Sequence, residues 1–178
     1  MPVALPEHLD PWRSADRGAA FDGELNLGAL TRLAGLLVRD DGKVGYRFRF
    51  ERDERGRAVV LGSVNALLIV ECQRCLKPLT VPVAAELHLV AVRTLDEATA
   101  LPDEVDPLLV DSDDWFRPIQ LIEEELLLAL PQIPLHATGE CQVPAYSEGN
   151  STAGSDRSRQ HREGPFAALA TREKSTEH

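Results

Sequence analysis

Two short spacings carry the side chains best suited to bind or react. Cys72-Gln73-Arg74-Cys75 sets two thiols two residues apart, and His136-x4-Cys141 supplies an imidazole and a third thiol far downstream. Two thiolates at this spacing in a hairpin turn can chelate one tetrahedral zinc ion, with His136 and Cys141 completing a Cys3His set. The competing reading makes Cys72 and Cys75 small buried apolar side chains and His136 a loop histidine. A redox dithiol fits less well. Such pairs sit at a helix N-terminus, where the helix dipole lowers the thiol pKa, whereas here Pro78 and another extended run follow. Three cysteines also cannot pair among themselves without a remainder, which suits a reducing compartment.

A second set is basic. Arg47 and Arg49 lie on the polar side of one alternating run, Arg52, Arg55 and Arg57 follow it, and Arg74 and Lys77 sit in the cysteine turn. Arg47, Arg49, Arg74 and Lys77 are the candidates for contact with the phosphates of a nucleic acid. The interleaved Glu51, Asp53 and Glu54 equally suit an ordinary solvated face. A third set is acidic: Asp111, Asp113 and Asp114, then Glu123-Glu124-Glu125. Consecutive helical glutamates point roughly 100° apart and make no dyad, so solvation or complementarity to a basic partner is expected of them. Walker A, G-x-G-x-x-G, H-E-x-x-H and G-x-S-x-G patterns are all missing from the chain. With no nucleophile and base in view, the expectation is a protein that is not an enzyme. A thiol or metal enzyme acting through Cys72 or Cys75 is the weakest alternative.

The elements that must position these groups follow from periodicity. Val44, Tyr46, Phe48 and Phe50 alternate with polar residues, and the runs 58–71 and 79–92 are also strand-like, giving three strands in an antiparallel meander. Gly62-Ser63 suggests a bulge, and Pro82 an edge strand or a strand beginning. Asp10-Pro11 predicts a short helix before Gly18. Asn26 with Leu30, Leu33, Ala34 and Leu37 predicts another, ending near Arg39. Residues 94–117 read as an acidic loop. Pro118 to Leu130 reads as a helix whose wide apolar arc calls for burial against the sheet or a partner, halted by Pro131.

The chain has 178 residues, 43% of them apolar, enough for one core and against global disorder. No apolar run approaches the roughly 20 residues that span a bilayer, and the start shows no secretory signal, so a cytoplasmic protein without membrane contact is expected. The net charge of −10 argues against indiscriminate nucleic-acid binding. It is concentrated: residues 94–150 carry thirteen acidic side chains against one basic. Residues 147–164 are rich in Ser, Gly and charge and lead to the apolar island Pro165-Phe166-Ala167-Ala168-Leu169. The expected organisation is an α+β domain over 1–145 and a flexible tail over 146–178. The domain would hold an antiparallel sheet, open or curled towards a barrel, with flanking helices.

The stretch from Val70 to Leu79 around the cysteines, Leu101-Pro102-Asp103-Glu104, the run from Ile122 to His136, Cys141 and the terminal island together resemble the YceD family. Its members are called large ribosomal RNA subunit accumulation proteins. The resemblance implies a bacterial cytoplasmic protein needed for synthesis, processing or stability of 23S rRNA, with no known catalytic activity. Expected partners are then 23S rRNA or a large-subunit precursor. The alternative is an acidic adaptor or chaperone for a basic ribosomal protein. Residues carried over from the family, all without an assigned role, are Cys72, Arg74, Cys75, Glu124, Leu127, Leu130, Pro131 and Pro134.

Overall fold

Alternation at period two is the strongest order in the sequence, and it builds the sheet. A computed structural model describes residues 5–103, 105–110 and 115–141. In chain order the elements are α1 (Pro11–Asp16), β1 (Ala20–Asn26), a 3-10 turn (Leu27–Ala29), α2 (Thr31–Ala34), β2 (Lys43–Arg52), β3 (Ala58–Glu71), β4 (Pro78–Val92), α3 (Leu95–Thr99), β5 (Asp106–Leu109) and α4 (Pro118–Ala129). The sheet order is β1-β2-β3-β4-β5. The first four strands pair antiparallel, and β5 joins β4 in parallel after the α3 crossover. The fold is therefore α+β with an open sheet, and the barrel option is corrected: β1 and β5 are its two edges.

One face of the sheet is the core. Val44, Tyr46, Phe48 and Phe50 of β2, Val60, Val64 and Leu68 of β3, and Val83, Leu87 and Leu89 of β4 are buried with Leu33, Ile122 and Leu126 from the helices. Each large side chain so buried contributes on the order of 1.5–3 kcal/mol relative to exposure. Among the described residues the opposite face is covered at one end, where Val59, Val90 and Val92 pack with Leu61, Ala98, Leu101 and Val105. No helix among the described residues is long and apolar enough to cross a membrane.

Local signals set several boundaries. Asp10 caps α1 by accepting the Arg13 N–H at 2.9 Å, with Pro11 opening the first turn. Leu130, forced out of helical conformation by Pro131, ends α4. Pro82 lies where β4 has no neighbour beyond β3, because β5 pairs only with Leu89–Val92; the missing N–H costs no ladder bond there.

Four expectations are corrected. The helix from Asn26 to Arg39 is instead the end of β1, a 3-10 turn and the four-residue α2; Gly28 and Gly35 deny the pattern a continuous helix. The acidic loop 94–117 contains α3 and β5. Gly62 marks no bulge, since the register runs unbroken through it; a Cβ there would lie 2.5 Å from the Arg47 carbonyl oxygen, so a close backbone approach requires glycine. Glu123 is not solvated but buried at 6% exposure. Its Oε1 accepts the Arg32 N–H at 2.7 Å and the Leu33 N–H at 3.2 Å, capping from α4 the start of α2, which has no side-chain cap of its own. Residues 111–114 and 142–178, which hold Asp111, Asp113, Asp114 and the expected tail, lie outside the described residues.

Candidate metal centre

β3 stops at Glu71 and β4 restarts at Pro78, paired directly across the ladder, so residues 72–77 form the turn between them. The Cys72 N–H donates to the Lys77 carbonyl at 3.0 Å and the Leu76 N–H to the Cys72 carbonyl at 2.9 Å. Closing the turn this tightly puts Leu76 at φ +59°, a left-handed conformation that costs a non-glycine residue roughly 1–2 kcal/mol. Cys72 and Cys75 are 0% and 4% exposed.

The other two candidate ligands arrive after α4. The Gln73 N–H donates to the Pro134 carbonyl at 2.9 Å, and Arg74 Nη2 to the His136 carbonyl at 2.9 Å. His136 Nε2 faces the Pro78 carbonyl at 3.2 Å. A carbonyl only accepts, so the ring proton belongs on Nε2, and Nδ1 keeps its lone pair. That Nδ1 lies 3.5 Å from Cys75 Sγ, while Cys72 Sγ and Cys141 Sγ are 3.8 Å apart. All four ligand atoms lie within 4.8 Å of one another. A tetrahedral zinc ion with the usual bond lengths has ligand edges of about 3.8 Å between sulfurs and about 3.6 Å between sulfur and nitrogen. The four residues singled out by spacing thus converge at distances that suit a metal such as zinc.

The electrostatics fit the same use. Burial raises the Cys72 thiol pKa, but hydrogen bonds from the backbone N–H groups of His136, Cys75 and Arg74 and from the His136 side chain outweigh it and draw it down to about 5. Cys141 moves the other way, raised by burial and by its neighbours Cys75 and Cys72 against the pull of Arg74. One thiolate is favoured by the protein alone; three of them side by side need a cation. Three sulfurs and one nitrogen complete a four-coordinate shell and leave no open position for substrate.

Comparison with known proteins bears on the rest of the chain. Residues 60–171 match the family described as Large ribosomal RNA subunit accumulation protein YceD. The chain belongs to this family. A curated relative, the Large ribosomal RNA subunit accumulation protein YceD of Haemophilus influenzae, is 29% identical over 168 residues, covering 94% of this chain and 95% of the relative. No solved structure matches. Of the residues that carry the YceD resemblance, Leu127, Leu130, Pro131 and Pro134 line a cleft of about 300 Å³ with Leu36, Val70, Glu71 and Gln73, next to the cysteine turn. Cys72, Arg74 and Cys75 are in that turn, and Glu124 pairs with Arg32 at 2.6 Å.

The four basic candidates do not form one patch. Arg47 pairs across the ladder with Ser63 and Arg49 with Leu61, whereas Arg74 and Lys77 follow Glu71. At about 3.3 Å per strand residue, roughly 26 Å of β3 separates Ser63 from Glu71. Arg47 and Arg49 are exposed on the uncovered face and have no ion-pair partner among the described residues. Asp22 and Glu86 flank them, so this face is mixed in sign. Arg74 is partly engaged in the cysteine centre. Spacing could not have found Glu123, Leu76 or the Pro78 carbonyl, because their parts depend on contacts between distant segments.

Proposed function

We propose that this protein is a non-catalytic cytoplasmic factor of ribosome biogenesis that supports synthesis, processing or stability of 23S rRNA, acting on that RNA or on a precursor of the large subunit. Family membership carries the reading: the match over residues 60–171 and the likeness to a named accumulation protein across nearly the whole chain. In this reading Arg47, Arg49, Arg74 and Lys77 contact phosphates, while the net charge of −10 restricts binding to a shaped site rather than to RNA in general. The Cys3His group holds one structural zinc ion, a reading supported by two ligand edges of tetrahedral length, 3.8 Å and 3.5 Å, and by the convergence of all four ligand atoms within 4.8 Å. The domain is taken to end near residue 145, with 146–178 as a tail.

The test is genetic. Deleting the gene lowers 23S rRNA relative to small-subunit rRNA, the wild-type chain restores it, and a chain with Arg47, Arg49, Arg74 and Lys77 all reversed to Glu does not. Restoration by the reversed chain would rule out phosphate contact through these residues. A second reading, an acidic adaptor for a basic ribosomal protein, is favoured by one observation: residues 94–150 carry thirteen acidic side chains against one basic, and within them the Glu125 pKa is raised first by burial and then by the repulsion of Asp106 and Glu124. A cationic partner would relieve that repulsion. Copurification of a basic ribosomal protein that survives nuclease would select it.

A further inference from the structure

The burial pattern around the cysteine centre separates two kinds of order. Of the eleven residues 131–141, only Pro134 is buried, while Ile133 and Leu135 are 68% and 47% exposed, and none joins the hydrophobic core. Three hydrogen bonds between nitrogen and oxygen attach this segment to the hairpin, through Gln73, Arg74 and Pro78, beside the weaker sulfur contacts among the ligand groups themselves. Fixing eleven backbone residues costs more conformational entropy than these few hydrogen bonds and one buried proline return. The turn has the same deficit, because Leu76 is left-handed yet 65% exposed and so gains little from packing. Apart from the two ligand thiols Cys72 and Cys75 and the ring of Pro134, which are buried, these segments bury little apolar surface that would hold them in place. The core behind them is held by burial: Ile122 and Leu126 of α4 and Val64 and Leu68 of β3 are fully buried in a hydrophobic cluster that includes no residue of 131–141.

We infer that the metal ion, bound by Cys72 Sγ, Cys75 Sγ, His136 Nδ1 and Cys141 Sγ, is a latch that pins residues 131–141 to the β3–β4 turn, and that the sheet and α4 stay folded when it is removed. The inference rests on the zinc reading above and adds to it the ligating nitrogen and the task of the ion. The structural zinc of small metal-dependent domains does the opposite, since there the whole fold depends on it.

The experiment uses the full chain, purified without a metal-affinity tag and assayed for zinc. Backbone hydrogen exchange is then followed by mass spectrometry before chelation, after chelation and after Zn2+ is restored. Amide protection in 72–77 and 131–141 should fall by about tenfold or more on chelation and return with Zn2+, while amides of β2, β3, β4 and α4 change by less than about twofold. A second sample, Cys141→Ser, should show the loosened segment from the outset with the sheet still protected. Loss of protection spreading through β2–β4 would overturn the latch and make the ion a requirement of the fold. Unchanged protection in 131–141 in a zinc-containing sample would overturn it as well. A chain that neither contains nor takes up zinc would end the zinc reading itself, and the latch with it.

Discussion

The middle of the sheet and the cysteine end of the molecule are ordered by different physics. Around Phe48 and Phe50, β2 presents alternate side chains to a dry core, and position is fixed by apolar burial shared among many partners. Around Cys72 and His136, exposed chain is held by hydrogen bonds, one left-handed residue and four convergent ligand atoms. The first kind of order is distributed and tolerates loss of single polar interactions. The second is concentrated in a few atoms and fails when one of them goes.

The contrast is broken most forcefully from the sheet side. Phe48→Ala is expected to cost about 3–5 kcal/mol of global stability, read from urea unfolding. Cys72→Ser should abolish metal binding yet leave one cooperative unfolding transition in the metal-free protein. If Cys72→Ser abolishes folding and Phe48→Ala is mild, the comparison is inverted. Glu123→Ala is next, at about 2 kcal/mol, because it strips one buried and one part-buried N–H group of their acceptor at the start of α2. Glu123→Gln keeps one acceptor oxygen and should cost clearly less.

Charge reversal sharpens the comparison on the functional side, since the two basic pairs sit on the two regions. Arg47→Glu with Arg49→Glu and, separately, Arg74→Glu with Lys77→Glu should each flatten the salt dependence of RNA association, by roughly 0.7–0.9 in log–log slope for every phosphate that is no longer neutralised. Only the second pair should also loosen residues 131–141, because Arg74 donates to the His136 carbonyl. The smallest effect concerns Glu125, whose pKa is raised by burial, then by Asp106 and Glu124. A carboxyl with a raised folded-state pKa favours folding when protonated and opposes it once pH rises through that value. Glu125→Gln should therefore stabilise the protein at neutral pH, by less than about 1 kcal/mol given its partial exposure, and the gain should vanish below the ordinary carboxylate range.

Local signals were legible in the sequence and long-range ones were not. The α1 cap at Asp10, the three central strands and the end of α4 at Pro131 follow from residue types a few positions apart. The four ligand candidates were also legible, because thiol spacing is a short-range pattern, and the structure brings all four together. β1 was hidden because Leu30, Leu33 and Leu37 impose a helical spacing on the residues just after it. β5 was hidden by its acidic surroundings, and it exists because β4 offers a free edge there. The separation of Arg47 and Arg49 from Arg74 and Lys77 depends on strand register, which no single strand encodes.

The central claim is that four side chains, chosen by type and brought together by the fold, hold one ion. Native mass spectrometry of the untagged full chain tests it most directly, reading the mass of the intact protein with its bound metal beside that of Cys72→Ser. One zinc ion per wild-type chain and none in the variant is the predicted result. A wild-type chain that stays metal-free when offered Zn2+, or a Cys72→Ser chain that still carries the ion, would contradict it.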